Sequence, residues 1–110
     1  MKAILINPEK KEVTEVEYSG DYQDIYKLID CKTFDVVRTS VSNDGIYVDD
    51  EGLFVDDQLF FEYGGDAQSV RLAGNGLILG VDDEGNSISP QTTVEEVEGR
   101  VGFLPRGYSW

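Results

Sequence analysis

Short apolar runs separated by turn-forming residues are the feature that most constrains the fold of this 110-residue chain. The longest of these runs, such as residues 3–6 and 77–79, are far too short to cross a membrane. The segment Val48-Asp49-Asp50-Glu51-Gly52 recurs 33 positions later as Val81-Asp82-Asp83-Glu84-Gly85. Asp favours the start of a turn, and Gly supplies the left-handed residue that closes one. The pattern therefore predicts short strands joined by acidic turns.

Strands account for most of the predicted elements. Strands are expected over residues 2–6, 13–18, 34–40, 46–48, 53–55, 59–63 and 77–81, with the first two paired across a turn at 8–11 and a loop at 64–76. The result is an α+β domain, with a mainly antiparallel or mixed sheet and one helix near each end.

Two segments show helical spacing. Residues 21–30 follow a Ser-Gly-Asp start and place Ile25, Leu28 and Ile29 on one face. Near the other end, Thr92 with Glu95, or Thr93 with Glu96, has the spacing of a capping box. Val94, Val97 and Val101 would then share a face of a helix that Gly99 weakens. Phe103 and Leu104 are expected to pack back on the sheet.

Composition indicates one folded domain. Leu, Ile, Val and Phe make up 32 of the 110 residues, which is ample for a core. We expect a single domain over residues 1–104, followed by a flexible tail at 105–110. The lone Cys31 and the lack of any long apolar segment favour a cytoplasmic location.

Charge is confined to one part of the chain. Residues 39–99 carry 14 Asp and Glu against a single basic residue, Arg71, and the net charge of this segment equals the −13 of the whole protein. Phosphate binding requires clustered Lys and Arg, so direct binding of nucleic acid or of anionic membranes is not expected. The acidity favours basic protein partners, although charge can also serve solubility alone.

No arrangement of residues reaches a catalytic or metal-binding motif. The chain has no His, which removes the Ser-His-Asp and Cys-His arrangements and most zinc sites. The twelfth positions of calcium loops begun at Asp49 and Asp82 are Phe60 and Thr93, which lack the bidentate carboxylate. Cys31 is interpreted as a core filler. We therefore predict a protein that is not an enzyme and uses no cofactor or metal.

Several segments together resemble a family of short acidic bacterial, phage and plasmid proteins known only as a domain of unknown function. They are Met1-Lys2-Ala3-Ile4-Leu5-Ile6-Asn7-Pro8, Gly20-Asp21-Tyr22, Phe34-Asp35-Val36-Val37-Arg38, Ile46-Tyr47-Val48-Asp49-Asp50-Glu51-Gly52, Leu72-Ala73-Gly74-Asn75-Gly76-Leu77-Ile78-Leu79-Gly80 and Thr93-Val94-Glu95-Glu96-Val97. The resemblance spans about residues 1–104. It implies a stand-alone cytosolic domain, often carried on mobile elements, and supplies no catalytic residues.

The leading functional hypothesis is docking of an acidic surface onto a basic surface of a host or element-encoded protein. Its candidate residues are Asp49, Asp50, Glu51, Asp56, Asp57, Asp82, Asp83 and Glu84. Imitation of DNA would be partial, since a net charge of −13 falls short of the ~20 charges of a duplex of the same length.

Two alternatives belong to other classes of protein. One is a small-ligand or regulatory domain whose pocket uses the glycine-rich segment 73–80 with Tyr47 and Tyr63. The other is a hydrolase or transferase, which would require a cleft. An apolar concavity at the glycine-rich segment would favour the first of these, and a flat sheet with clustered carboxylates would favour docking.

Overall fold

The computed structural model describes residues 1–38, 44–64 and 69–107, and these fold into two antiparallel sheets with two short helices. In chain order the elements are β1 (Lys2–Asn7), β2 (Glu12–Glu17), α1 (Gln23–Leu28), β3 (Phe34–Arg38), β4 (Gly45–Asp49), a 3₁₀ helix (Gly52–Phe54), β5 (Phe60–Gly64), β6 (Ser69–Ala73), β7 (Gly76–Val81), β8 (Ser87–Ile88), α2 (Val94–Glu98) and β9 (Val101–Phe103). The predicted α+β class and the predominance of strands are confirmed.

The larger sheet has the strand order β2-β1-β7-β4-β3, with β8 paired to β7, and the smaller one has the order β6-β5-β9. Every strand pair is antiparallel within the described residues. The predicted hairpin of the first two strands forms, with Lys2 opposite Glu17 and Asn7 opposite Glu12.

Strand β7 is buried on both faces, as its continuous apolar sequence predicts. Ile78 points into a cluster shared with β5, β6 and α2, while Leu77 and Leu79 point into a cluster shared with α1. Side chains of a strand alternate between faces, so one strand contributes to both clusters. The large sheet is therefore the middle layer, with the small sheet and α2 on one face and α1 on the other.

Helix α1 is shorter than the predicted 21–30. It starts after Asp21, whose Oδ1 accepts the N–H of Gln23 at 3.0 Å, and it buries Ile25 against the large sheet. At its other end Asp30 has a φ of 53°, in the left-handed region, and the N–H of Cys31 bonds to the carbonyl of Tyr26 at 3.0 Å. A left-handed residue turns the chain out of the helix, which explains the early end.

Helix α2 uses the second of the two predicted capping boxes. The Thr93 Oγ1 accepts the N–H of Glu96 at 3.2 Å and also bonds to the Glu96 carboxylate. The assignment of Val101 to this helix is wrong, because the helix ends at Glu98 and Val101 begins β9, opposite Tyr63 of β5. The N–H of Leu104 continues this pairing with a 3.1 Å bond to the Phe60 carbonyl.

Three other sequence expectations differ from the structure. Residues 53–55 are not a strand, and strands β6 and β8 lie in segments that showed no strand pattern. In β6 only Leu72 and Ala73 are buried, which is too short a run for alternation to be visible. The end of the strand predicted at 34–40, residues 65–68 of the predicted loop, and residues 108–110 of the predicted tail lie outside the described residues. No helix in the described part of the chain is long and apolar enough to span a membrane.

Asp44 connects the start of β4 to the segment before α2 from a buried position. The residue is only 2% exposed, and its carboxylate accepts the N–H of Gln91 at 3.0 Å and the N–H of Thr92 at 3.0 Å. A buried backbone N–H without a partner costs free energy, so these bonds fix the entry to α2 against the start of β4.

Asp44→Ala should lower the free energy of unfolding by about 2–4 kcal/mol, because the substitution leaves two backbone N–H groups without their acceptor. Urea denaturation followed by circular dichroism measures the change. The matched control is Asp83→Ala, at an exposed carboxylate, where a change within ~0.5 kcal/mol is expected. Equal effects of the two substitutions would show that the Asp44 bonds do not stabilise the fold.

Candidate functional site

The eight candidate carboxylates divide into two groups at opposite ends of the large sheet. Residues 49–51 follow β4 and residues 82–84 follow β7, and these neighbouring strands are antiparallel with Tyr47 opposite Leu77. Counting along the register, Asp49 and Asp82 lie seven residues apart, or about 23 Å at ~3.3 Å per residue. The prediction of one acidic face built around all eight residues is therefore not supported. Asp56 and Asp57 follow the 3₁₀ helix that continues the first group.

The Asp49 turn, residues 49–51, leads into a loop whose base is packed against β6. The Asp49 Oδ1 accepts the N–H of Glu51 at 2.9 Å. Gly52 is buried against Ala73, where an added Cβ would lie 3.1 Å from the Ala73 Cβ. The side-chain amide of Gln58 donates to the Gly52 carbonyl at 2.7 Å. These contacts clamp the base of the loop to β6 without using any of its large apolar side chains.

Leu53, Phe54 and Val55, which we call the tip patch, stand exposed above this base. Their exposed fractions are 54%, 83% and 49%. The N–H of Phe54 bonds to the Glu51 carbonyl at 3.0 Å, which gives the segment its 3₁₀ turn. The tip patch lies between two acidic stretches, residues 49–51 and 56–57. An exposed aromatic flanked by carboxylates on a clamped loop has the composition of a protein-binding anchor.

Sequence reasoning missed the tip patch because Leu-Phe-Val has the composition of a strand. One available signal was length. Gly52 on one side and Asp56-Asp57 on the other leave only three apolar residues, fewer than the five or six of an average strand.

The Asp82 turn, residues 82–84, shows ordinary turn chemistry. The Asp82 Oδ1 accepts the N–H of Asn86 at 2.8 Å and that of Glu84 at 2.9 Å. The hydrogen bond from the Asn86 backbone N–H has the largest effect on the Asp82 carboxyl. Together with the weaker effects of the other hydrogen bonds, it lowers the pKa of this carboxyl below its ordinary value of 3.8. Gly85 has a φ of 87°, as predicted for the residue that closes such a turn. The presence of Asp82 at this position is therefore explained by its role in the turn of the β7–β8 hairpin.

None of the eight carboxylates is paired with a cation in the described residues. The ion pairs there join the N-terminal ammonium to Glu17 at 3.5 Å, Lys2 to Glu15 at 3.5 Å and Arg71 to Glu62 at 3.1 Å. In the part of the chain that the structure describes, the carboxylates of the Asp49 turn therefore form no ion pair. Among residues 1–38, 44–64 and 69–107, no group of three or more Cys, Asp and Glu is arranged to hold a metal ion.

Comparison with known proteins identifies the family. A family model described as a domain of unknown function, DUF3846, matches residues 1–102. The chain belongs to this family. No curated protein and no solved structure matches the chain.

The glycine-rich segment of this DUF3846 domain is a packing site. An added Cβ on Gly76 would lie 2.8 Å from the ring of Phe61, and one on Gly80 would lie 2.6 Å from the Ser89 carbonyl oxygen. Tyr47 packs in the cluster that contains α1, while Tyr63 packs in the cluster on the other face of the sheet. The glycines are thus closely covered, and the two tyrosines do not line a common pocket.

Cys31 packs against the α1 cluster, as its interpretation as a core filler predicts. Burial raises the pKa of the Cys31 thiol to about 11, and the Asp49 and Asp30 carboxylates add to the rise. The reactive form of cysteine is the thiolate, so this residue is a poor nucleophile at neutral pH.

Iodoacetamide should alkylate Cys31 of the folded protein about 100-fold more slowly at pH 8 than it alkylates the urea-unfolded chain. The reason is that a pKa of about 11, against an ordinary 9.0, lowers the thiolate fraction by about two powers of ten. Mass spectrometry of quenched samples gives both rates. A folded-state rate that levels off near pH 9 would contradict the raised pKa.

The carboxyl of Asp82 should titrate below its value in the urea-unfolded chain. Its depressed pKa means that the stabilisation it provides is complete above the unfolded value and is lost as the pH falls through the folded value. Carbon-13 NMR of the side-chain carboxyl between about pH 2 and pH 6 measures both midpoints. A folded-state midpoint at or above the unfolded one would show that the Asn86 and Glu84 bonds do not form.

Proposed function

We propose that this DUF3846 domain is a non-enzymatic binding protein that docks onto a basic surface of another protein through the loop of residues 49–57. The observation that carries the proposal is the tip patch, exposed between two groups of carboxylates on a clamped loop. A hydrophobic anchor within a charged rim is the usual anatomy of a protein interface.

The sign of the charge selects the partner. The rim residues Asp49, Asp50, Glu51, Asp56 and Asp57 are all acidic, and the domain as a whole carries a net charge of −13. A basic surface would be attracted over several ångströms and steered toward the loop, whereas a second copy of this chain would be repelled. We expect the partner among host or element-encoded proteins, which is what the resemblance to proteins of mobile elements implies.

Rigidity of the loop supports the same role. An interface residue that is already ordered loses little conformational entropy on binding. Gly52 is packed on Ala73, and the Gln58 amide bonds to the Gly52 carbonyl, so the backbone beneath Phe54 is fixed before any partner arrives.

Other functions draw less support from the geometry. A DNA mimic would need a continuous row of charges, whereas the Asp49 and Asp82 turns lie about 23 Å apart along the strands. The small-ligand alternative requires a pocket shared by Tyr47 and Tyr63, but these two side chains face different clusters. The enzyme alternative gains nothing from Cys31, whose thiol has a pKa of about 11.

Capture experiments with charge-matched variants test the proposal. The wild-type domain, immobilised and incubated with lysate of its own host, should retain a basic protein at about 50 mM salt and lose most of it at about 300 mM. Phe54→Ser should weaken binding of that purified protein about 30-fold, the loss typical of a central aromatic anchor, without changing the melting temperature.

The discriminating comparison uses two variants of equal net charge. Asp56→Asn with Asp57→Asn should weaken binding, whereas Asp83→Asn with Glu84→Gln, which removes the same two charges, should not. Asn accepts the left-handed backbone of Asp57, whose φ is 56°, so the first pair of changes leaves the loop intact. Equal losses from the two pairs, or no loss from Phe54→Ser, would show that binding follows overall charge instead of the loop.

A further inference from the structure

A groove runs beside the tip patch, between the edge strands of the two sheets. β3 is the last strand of the large sheet and β6 the last strand of the small one. The groove has a volume of about 220 Å³, and its apolar walls are formed by Val37, Val48, Leu53 and Leu72. At ~30 Å³ per water molecule this space would hold about seven waters, which is room for one long side chain.

Carboxylates surround the apolar walls of this β3–β6 groove. Asp35, Asp49 and Asp50 line it together with Arg71. The Arg71 Nε donates to the Glu62 carboxylate at 3.1 Å, and Glu62 lies directly opposite Arg71 in the β5–β6 pair. Arg71 therefore already shares its charge with Glu62, and the exposed aspartates Asp35 and Asp50 leave the groove with an excess of negative charge.

The strand register explains why apolar side chains and carboxylates line the same groove. Asp35 is opposite Val48, and Val37 is opposite Ile46, so these residues of β3 and β4 share the face that looks toward the small sheet. Leu72 points from β6 into the same interlayer space. Aliphatic surface thus lies inside the groove, with Asp35 and Asp50 exposed to solvent beside it.

We propose that the β3–β6 groove receives a lysine or arginine side chain of the docked protein. Basic side chains bury their aliphatic stems against apolar surface while their charged ends remain near carboxylates or water. An apolar ligand would leave the carboxylates beside the groove without a cationic partner, and an anion would be repelled by them. Because Leu53 belongs to both the groove and the tip patch, the basic residue would lie next to the part of the partner that covers Phe54.

The identity of the donor protein rests on the proposed function, but the chemistry of the groove is testable without it. The probes are the peptides acetyl-Gly-Arg-Gly-amide and acetyl-Gly-Lys-Gly-amide, with the uncharged citrulline peptide as the neutral counterpart. Amide shifts of the ¹⁵N-labelled protein are followed at low salt. Saturable shifts of Val37, Leu53 and Leu72 with dissociation constants of about 1 mM are expected for the basic peptides, and at least about fivefold weaker binding for citrulline.

Matched variants locate the effect. Asp35→Asn should weaken binding of the basic peptides two- to fivefold, about what one exposed ion pair contributes, and it keeps the Oδ1 that accepts the Val36 N–H at 2.8 Å. Asp83→Asn, which removes one charge at the far end of the sheet, should leave binding unchanged. Shifts of equal size at residues 82–84, equal binding of the citrulline peptide, or no groove shifts with either basic peptide would overturn the proposal.

The two proposals fail in different experiments. Loss of the partner on Phe54→Ser, together with an unresponsive groove, would refute the groove alone. Binding of the basic peptides that depends on Asp35, with no partner retained through Phe54, would leave the groove standing and refute docking by the tip patch.

Discussion

Burial of β7 on both faces is the constraint on which the rest of the structure depends. Leu77 and Leu79 complete the cluster beneath α1, and Ile78 completes the cluster beneath the small sheet. A strand with two apolar faces must occupy the centre of a sheet, so β1 and β4 pair on its two sides. Once β4 is antiparallel to β7, the turns that follow them must lie at opposite ends. Packing of the core thereby separates two acidic segments that share the same five-residue sequence.

Local sequence predicted the elements whose own residues define them. The apolar run of β7, the β1–β2 hairpin and the Thr93–Glu96 capping box each depend on interactions between residues near in the chain. Strand β6 depends instead on pairing with β5, and β8 on pairing with β7. Neither carries enough alternating residues to be recognised alone. At residues 53–55 the error was the opposite one, because a strand was predicted where none forms. Their strand-like composition is overridden by the contacts of Gly52 and Gln58 at the base of the loop.

The candidate site could be predicted in its chemistry but not in its arrangement. Composition placed the carboxylates in the second half of the chain, and those of the Asp49 turn form no ion pair with any residue that the structure describes. Which of them act together depends on strand direction, which is a property of the whole sheet. Asp35 joins the groove only because β3 pairs with β4, and Leu72 only because the small sheet packs over that pair. No local pattern connects residues 35, 53 and 72.

Acidity and the exposed tip patch are connected physically. An aromatic that is 83% exposed, next to two further apolar side chains, is a hazard for self-association. Carboxylates on both sides of the patch make the approach of a second copy costly, because identical rims would meet at close range with like charges. The same carboxylates lower the cost for a partner whose rim is basic. A single arrangement thus opposes the wrong contact and favours the complementary one, which is how a small domain obtains specificity from an interface with few anchors.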